Sequence, residues 1–404
     1  MCAHVDVAVI GAGAAGIAAG RALAAAGVSY IVLEAAGRLG GRALTDRSLG
    51  YPVDLGCTWL HSADQNVLAG GPRARFGQDT GRSAIFLDDQ DRWASAAEEA
   101  ECRAYLDECE ARLLAAGGRG EDPPSSIVFD QPSPYQRHFA WWCGAYTSVP
   151  PAEVGALDWY RYRDTGANWT VRTGYGHRIV QRAAGLAVRR ECPVLSVDFS
   201  GPGVSLATPA GQLRAKAAVL TVSTAALRRI GFAPSLPVAK QEAIARLPLG
   251  HVNKVALRFD RLDPDWRNAR SAALSAQIGR YDHPIAEVFL DAGTARSLEP
   301  LGEAAQIDFV LSQFARMYGA GVRRRVRAAR ASSWGMTPWI WGGYSAMTPG
   351  GGDPRSVLAA PVAGRLFFAG EATHPHFFST AHGAWESGAR AAAESVAASR
   401  QITG

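Results

Sequence analysis

The stretch from Val5 to Glu34 constrains the fold more than any other part of the chain. Val5 to Ile10 is an apolar run of strand character, Gly11-Ala-Gly13-Ala14-Ala15-Gly16 is a glycine turn, and Ile17 to Ala26 is an alanine-rich helical segment stopped by Gly27. Tyr30 to Leu33 then reads as a second buried strand ending in Glu34. Strand, glycine turn, helix and strand in this order form the β-α-β unit that cradles a dinucleotide. Gly11 permits the tight turn, Gly13 lets the backbone approach a pyrophosphate, and Gly16 lets helix and strand pack closely. Ala14 and Ala15 open the helix, whose unpaired N–H groups and partial positive charge favour a diphosphate. A carboxylate at Glu34 accepts hydrogen bonds from ribose hydroxyls and repels a 2′-phosphate.

At 404 residues the chain is long enough for two domains. Past residue 72 the sequence turns polar and helix-forming, with Cys102, Tyr105, Leu106, Cys109 and Leu113 spaced three to four apart as on an amphipathic helix. Short strand signals return in Val194 to Phe199, Val204 to Thr208 and Ala217 to Val222. Arg365 to Ala369 reads as a last strand and Ala384 to Ser399 as a small-residue helix. The expectation is an α/β protein with a Rossmann-type domain from residues 1–72, 170–250 and 350–404. An α+β domain from 73–169 and 251–349 is interleaved with it.

Composition narrows the classes. Hydrophobic residues at 48% and charged residues at 20% are those of an ordinary globular protein. The net charge of +5 does not specify a nucleic-acid partner, and no apolar run approaches the ~20 residues that span a bilayer. A strand begins by Val5, which leaves no room for a signal peptide, and the six cysteines show no metal or disulfide spacing. A cytoplasmic protein with reduced thiols and no metal is expected. The basic run Arg323, Arg324, Arg325, Arg327 and Arg330 is read as a solvated helix face. Between residues 86 and 110, nine acids against Arg92 and Arg103 leave a local net of −7, either the wet face of a helix or an attractor of polycations.

Two further motifs give a specific reading. Glu34-Ala-Ala-Gly-Arg38-Leu-Gly40-Gly41-Arg42 is followed by Asp54-Leu-Gly56-Cys57-Thr58-Trp59-Leu-His61. Near the C-terminus stand Gly370-Glu371-Ala-Thr-His374 and Ser379-Thr380-Ala381-His382-Gly383. Together these resemble the flavin-containing amine oxidase family, nearest in wording to the spermine and acetylpolyamine oxidases. The resemblance implies FAD, with Gly40, Gly41 and Arg42 at the diphosphate and Gly56, Cys57, Thr58 and Trp59 beside the isoalloxazine ring. By the same resemblance Val194 is the adenine-contacting position, Glu371 bonds the ribitol or phosphate region, and Gly370, Thr380 and Ala381 lie at the flavin's pyrimidine edge. Trp334 also falls in the cofactor-binding set, with Trp341-Gly-Gly343-Tyr344-Ser beside it on the substrate side.

Lys254 matches the family's lysine that holds a water against flavin N5. In a chain with only Lys216, Lys240 and Lys254 among its 42 basic residues, a lysine there is informative, because lysine can lose its proton when buried and arginine cannot. His61 matches the active-site histidine of the polyamine branch. Gly343 occupies the position at which monoamine oxidases carry their flavin-tethering cysteine, so the FAD is expected to be non-covalent. Tyr344 keeps one half of the family's aromatic cage, while the other half falls on Thr380.

The implied activity is oxidation of a small amine, polyamine-like by preference, with hydride passing to flavin, imine hydrolysis, and O₂ reduced to H₂O₂. Alternatives are an L-amino-acid oxidase, a carotenoid or porphyrinogen dehydrogenase on the same scaffold, or a non-catalytic FAD-holding interaction protein. A histone-demethylase relative is disfavoured, since the chain lacks room for that group's additional modules.

Overall fold

The computed structural model describes residues 4–70, 76–78 and 83–401. The strand β1 (His4–Ile10), the helix α1 (Ala14–Ala25) and the strand β2 (Tyr30–Leu33) form as the sequence predicts, with β1 and β2 parallel. On its other side β1 pairs in parallel with Gly211–Leu220, a strand that changes partners along its length. Its first half pairs antiparallel with Val204–Thr208, and its second half runs parallel to Leu366–Phe368. This brings the strand Leu366–Phe368 into the same sheet as β1, with Gly211–Leu220 between them. Val7, Val9, Val32, Val219 and Phe367 are almost wholly buried on one face, where α1 and the helix Ala381–Gln401 cover them. Small residues set that contact: a Cβ on Gly388 would stand 2.0 Å from the Ala15 carbonyl oxygen.

The second large sheet runs Val326–Ala331, Asn253–Phe259, Ile285–Leu290, Ser275–Ile278, Ala269–Arg270, Ala84–Leu87 and Arg92–Trp93. The amphipathic helix Glu303–Tyr318 packs Val310, Phe314 and Met317 against it. Asn253–Phe259 is a central strand with buried residues on both faces, and it carries Lys254 into the interior. A separate helical core gathers around Ala96–Gly118, where Cys102, Leu106, Cys109 and Leu113 are buried as their spacing predicts. Ser95 and Glu98 form a capping box at the start of that helix.

Two charged segments differ from a simple solvated face. The arginine run is helical only over Val322–Arg325 and continues as the strand Val326–Ala331, because its backbone pairs with Asn253–Phe259 and the ladder outweighs arginine's helix preference. Its side chains meet acids: Arg323 lies 2.6 Å from Asp308, Arg325 3.1 Å from Asp263, and Arg327 2.5 Å from Asp260. The acidic stretch is likewise partly neutralised, with Glu98 on Arg92, Glu99 on Arg103, and Asp91 on Arg316. Cys57, Cys102, Cys109, Cys143 and Cys192 are free thiols, and Cys2 lies outside the described residues. Among the described residues no helix is long and apolar enough to cross a membrane.

Candidate active site

A cavity of about 650 Å³ runs between the two large sheets. Every site residue expected from the sequence lines it except Gly16. Gly16 instead sits beneath the turn, where a Cβ would be 1.8 Å from the Gly11 carbonyl oxygen, so it permits the approach of helix to strand and lies away from the cavity surface.

At one end the cavity has the features a dinucleotide needs. The N-cap of α1 is Gly13, which makes no side-chain cap, so the helix presents backbone N–H groups. Glu34 is 8% exposed at the end of β2, its Oε2 accepting from Ala12 N at 2.7 Å and its Oε1 from Ala36 N at 2.9 Å. Each oxygen keeps a lone pair for a ribose hydroxyl. Burial pushes the Glu34 carboxyl above its ordinary pKa, against these N–H groups and the nearby Arg38. Gly40 and Gly41, both with positive φ, wrap the loop around the turn, while Val194 lies on the wall with Cys192 and Pro193. The residues present therefore fit the adenosine and diphosphate of a dinucleotide.

Arg42 and Glu371 meet each other. Arg42 Nη1 donates to Glu371 Oε1 at 2.9 Å and to the Gly343 carbonyl at 2.5 Å. Glu371 also accepts from Ser345 N, Ser345 Oγ and Ser379 N. Although burial opposes its ionisation, Arg42 and Arg355 hold its pKa below the usual carboxylate range. Gly370 adopts φ 126°, which favours glycine, and its N–H donates to Ser387 Oγ at 2.9 Å. Thr380 caps the helix Ala381–Gln401: its Oγ1 accepts from Gly383 N at 3.0 Å and donates to the Phe377 carbonyl at 2.6 Å. Its hydroxyl is thus committed to the cap.

Further along, Lys254 is 8% exposed and its Nζ donates to the carbonyls of Asp54 at 3.2 Å and Gly56 at 2.6 Å, and to Thr58 Oγ1. These bonds tie the segment Asp54–Trp59 to the second sheet. Burial pushes the Lys254 amine down to about 8, with Asp54 opposing. Asp54 is pushed up to about 6 by burial, against hydrogen bonds from Thr45, Tyr175 N and Gly176 N. Burial, then Asp54, pushes the Cys57 thiol up to about 12, so it stays protonated at neutral pH. Trp59 lies beneath the lysine, its ring centroid 5.0 Å from Nζ, and Trp334 fixes the loop by donating Nε1–H to the Leu55 carbonyl at 3.1 Å.

Beyond Trp59 the cavity widens against an aromatic wall. His61 lies 6.3 Å from Trp59 by ring centroids, with Nδ1 2.7 Å from Asn168 Oδ1. Tyr344 donates its hydroxyl to the Ala145 carbonyl, and burial holds that phenol well above its ordinary pKa. Sequence reasoning passed over the rest of the wall: Trp142 and Tyr146 on the helix Gln136–Thr147, Trp159 on Ala156–Arg161, then Tyr162 and Phe378. Tyr146 stacks on Trp159 at 5.0 Å, and Tyr162 meets Phe378 edge-on at 5.4 Å. The Trp141-Trp142 pair with Tyr146 four residues on was the available signal. Asp158 was also missed. It lies on the wall in a bidentate pair with Arg355, whose side chain is 2% exposed.

A family model described as flavin containing amine oxidoreductase matches residues 14–70 and 73–395. The chain belongs to this family, and it is accordingly an oxidoreductase acting on amines that takes a flavin cofactor. Polyamine oxidase 4 of Oryza sativa subsp. japonica is 29% identical over 435 residues, covering 96% of this chain and 88% of that protein. Polyamine oxidase 5 of the same organism is 30% identical over 432 residues, covering 96% and 87%. Among solved structures, wild-type putrescine oxidase bound to putrescine superposes with a TM-score of 0.79 at 21% identity, covering 98% of this chain and 99% of that one. Cyclohexylamine oxidase from Brevibacterium oxydans IH-35A gives 0.81 at 20% identity, covering 99% and 100%.

Proposed function

We propose that the chain is an FAD-dependent amine oxidase with non-covalently held cofactor, a preference for polyamine-like substrates, and O₂ as electron acceptor. One observation carries the reading: a single cavity joins the Glu34 and α1 end to Lys254 and the aromatic wall. When bound, FAD supplies a two-electron acceptor for the C–H bond next to the amine nitrogen, O₂ takes the pair to give H₂O₂, and the imine product hydrolyses.

The chain's own groups hold and orient. Glu34 and the α1 N-terminus bind the ribose and diphosphate, with Gly40, Gly41, Arg42 and Val194 around them. Lys254, holding the Asp54–Trp59 segment in place, keeps at Nζ a proton that is poised to leave near pH 8. Trp59, Tyr344 and Thr380 border the place where the amine's reacting carbon sits, and the aromatic wall excludes water from it. His61, oriented by Asn168, offers an imidazole to the amine or to a water beside it.

The printed names of the rice relatives support the polyamine-like class. The five free thiols support a reducing compartment, and we place the protein in the cytoplasm. The test is a panel of polyamines, diamines, monoamines and amino acids scored for H₂O₂ release. Turnover confined to amino acids, or absent across the panel, would overturn the reading.

A further inference from the structure

Four acidic residues line the cavity: Glu34, Asp158, Asp164 and Glu371. Three already have their charge answered. Glu34 is held by backbone N–H groups at the dinucleotide end, Asp158 by the bidentate Arg355, and Glu371 by Arg42. Asp164 differs. Among the described residues no arginine or lysine pairs with it, and the nearest basic group is His61, whose Nδ1 is 4.0 Å from Asp164 Oδ2. Its Oδ1 accepts from Gly166 N at 2.9 Å and, more weakly, from Ser62 Oγ at 3.4 Å, which fixes the carboxylate and leaves Oδ2 toward His61. The residue as a whole is exposed, yet its side chain keeps only 25% of its accessibility, as expected at a cavity mouth.

The surroundings favour a cation. Tyr146 and Tyr162 line the same part of the cavity with their rings 5.4 Å apart, and aromatic faces attract ammonium groups. Burial most of all keeps both phenols from ionising, followed by Tyr162 and then the Asp164 charge at Tyr146, and by the Asp164 charge at Tyr162. Glu110, also without an arginine or lysine partner among the described residues, is pushed up by burial and by the negative charges of Asp107 and Asp164. Lys254, Trp59, His61 and Asp164 follow one another by contact along one wall. A carboxylate therefore waits at a distance from the end where the chemistry would occur.

We propose that Asp164 receives the far ammonium of a substrate carrying two or more amines, and so sets a preference for diamines and polyamines over monoamines. This rests on the amine-oxidising reading above. One amine reaches the Lys254 end uncharged, while a second stays protonated between Asp164 and the tyrosine rings. A monoamine of equal length leaves the carboxylate solvated and gains nothing from it. Because the site is at a water-exposed rim, the gain is that of a screened charge pair and falls with salt.

The experiment measures binding of 1,4-diaminobutane and 1-aminobutane by anaerobic calorimetry to the FAD-loaded protein whose flavin has first been reduced with dithionite, so that neither amine can be turned over. The wild type should favour the diamine at least about tenfold, equivalent to ~1.4 kcal/mol. Asp164→Asn, which keeps an oxygen for Gly166 N, should bring the ratio close to one, and Asp164→Glu should restore part of it. The ratio is its own control, since a damaged fold weakens both ligands together. Equal wild-type affinities, or a preference that survives in Asp164→Asn, would overturn the assignment. Failure of the parent reading looks different: neither amine would then bleach the flavin of the unreduced protein on anaerobic mixing.

Discussion

Arg42 and Glu371, 329 positions apart in the chain, form a 2.9 Å ion pair on the wall of the cavity. Each was expected to touch the cofactor, and each also holds the other. Their roles separate by measurement. Arg42 is 28% exposed at its side chain while Glu371 is 6% exposed and bound by Ser345 and Ser379, so the glutamate has the larger share in the fold. Glu371→Gln should lower the stability of the apoprotein by about 1–3 kcal/mol, less than a fully buried pair would cost. Arg42→Ala should have the smaller effect on the apoprotein melting temperature and weaken FAD binding at least about tenfold, as expected for a lost guanidinium–phosphate contact. Thermal denaturation of the apoproteins and FAD titration would show whether the effects divide in this way.

Glu34 offers a cleaner test of cofactor recognition. Its oxygens accept from Ala12 N and Ala36 N, so its removal also leaves two backbone donors to find water. Glu34→Gln keeps acceptor capacity and Glu34→Ala does not. The alanine variant should lose about 1.5–3 kcal/mol of FAD affinity, with the glutamine variant in between. An apoprotein titration in which all three proteins bind FAD equally would remove Glu34 from the site.

Lys254 carries a pH dependence whose sign follows from its lowered pKa. Between pH of about 8 and its ordinary 10.5 the folded protein holds the amine neutral while the unfolded chain binds a proton. Lys254 therefore adds a term to stability that rises with pH across that window. In catalysis the same ionisation should appear as an inflection near pH 8 in the rate of flavin reduction or of reoxidation. Lys254→Met should abolish the inflection and slow the affected step at least about tenfold, ~1.4 kcal/mol of barrier, with FAD content nearly unchanged. Anaerobic stopped-flow isolates reduction, and mixing reduced enzyme with oxygen isolates reoxidation. Wild-type rates and an unchanged profile in both would make Lys254 a strut for the Asp54–Trp59 segment and nothing more.

Gly343 leads to a simpler outcome. It supplies a carbonyl to Arg42 and has no side chain with which to bond the flavin. Acid denaturation followed by filtration should put all the yellow colour in the filtrate, and flavin remaining on the polypeptide would refute the non-covalent assignment.

The parts of this molecule legible in the sequence are those whose signal is local. The β1–α1–β2 unit declares itself because backbone sterics at Gly11 and Gly16 demand glycine at fixed spacing. Lys254 stood out because lysine is rare in this chain and because it matches the family's lysine, whereas its burial in a strand covered on both faces is a tertiary fact. The aromatic wall was not legible, since Tyr146, Trp159 and Phe378 meet only through the packing of separate segments. The same holds for Asp158, whose role depends on Arg355 lying 197 positions away. The arginine run misled for a related reason: whether Val326–Ala331 becomes helix or strand is decided by the neighbouring strand Asn253–Phe259, which the local residues do not reveal. Arg42 and Glu371 were found by resemblance, but their contact with each other is a tertiary fact.

The seating of the helix Ala381–Gln401 on α1, with Gly388 pressed against Ala15, has a consequence for biosynthesis. The dinucleotide fingerprint leaves the ribosome more than 300 residues before the wall at Gly370 to Ala381 and the helix behind it. A nascent chain thus carries the diphosphate cradle long before it can close it. Cofactor capture is then a late event that waits for the helix Ala381–Gln401 to be made and seated, and cells starved of riboflavin should accumulate apoprotein that contains this helix and not shorter arrested fragments.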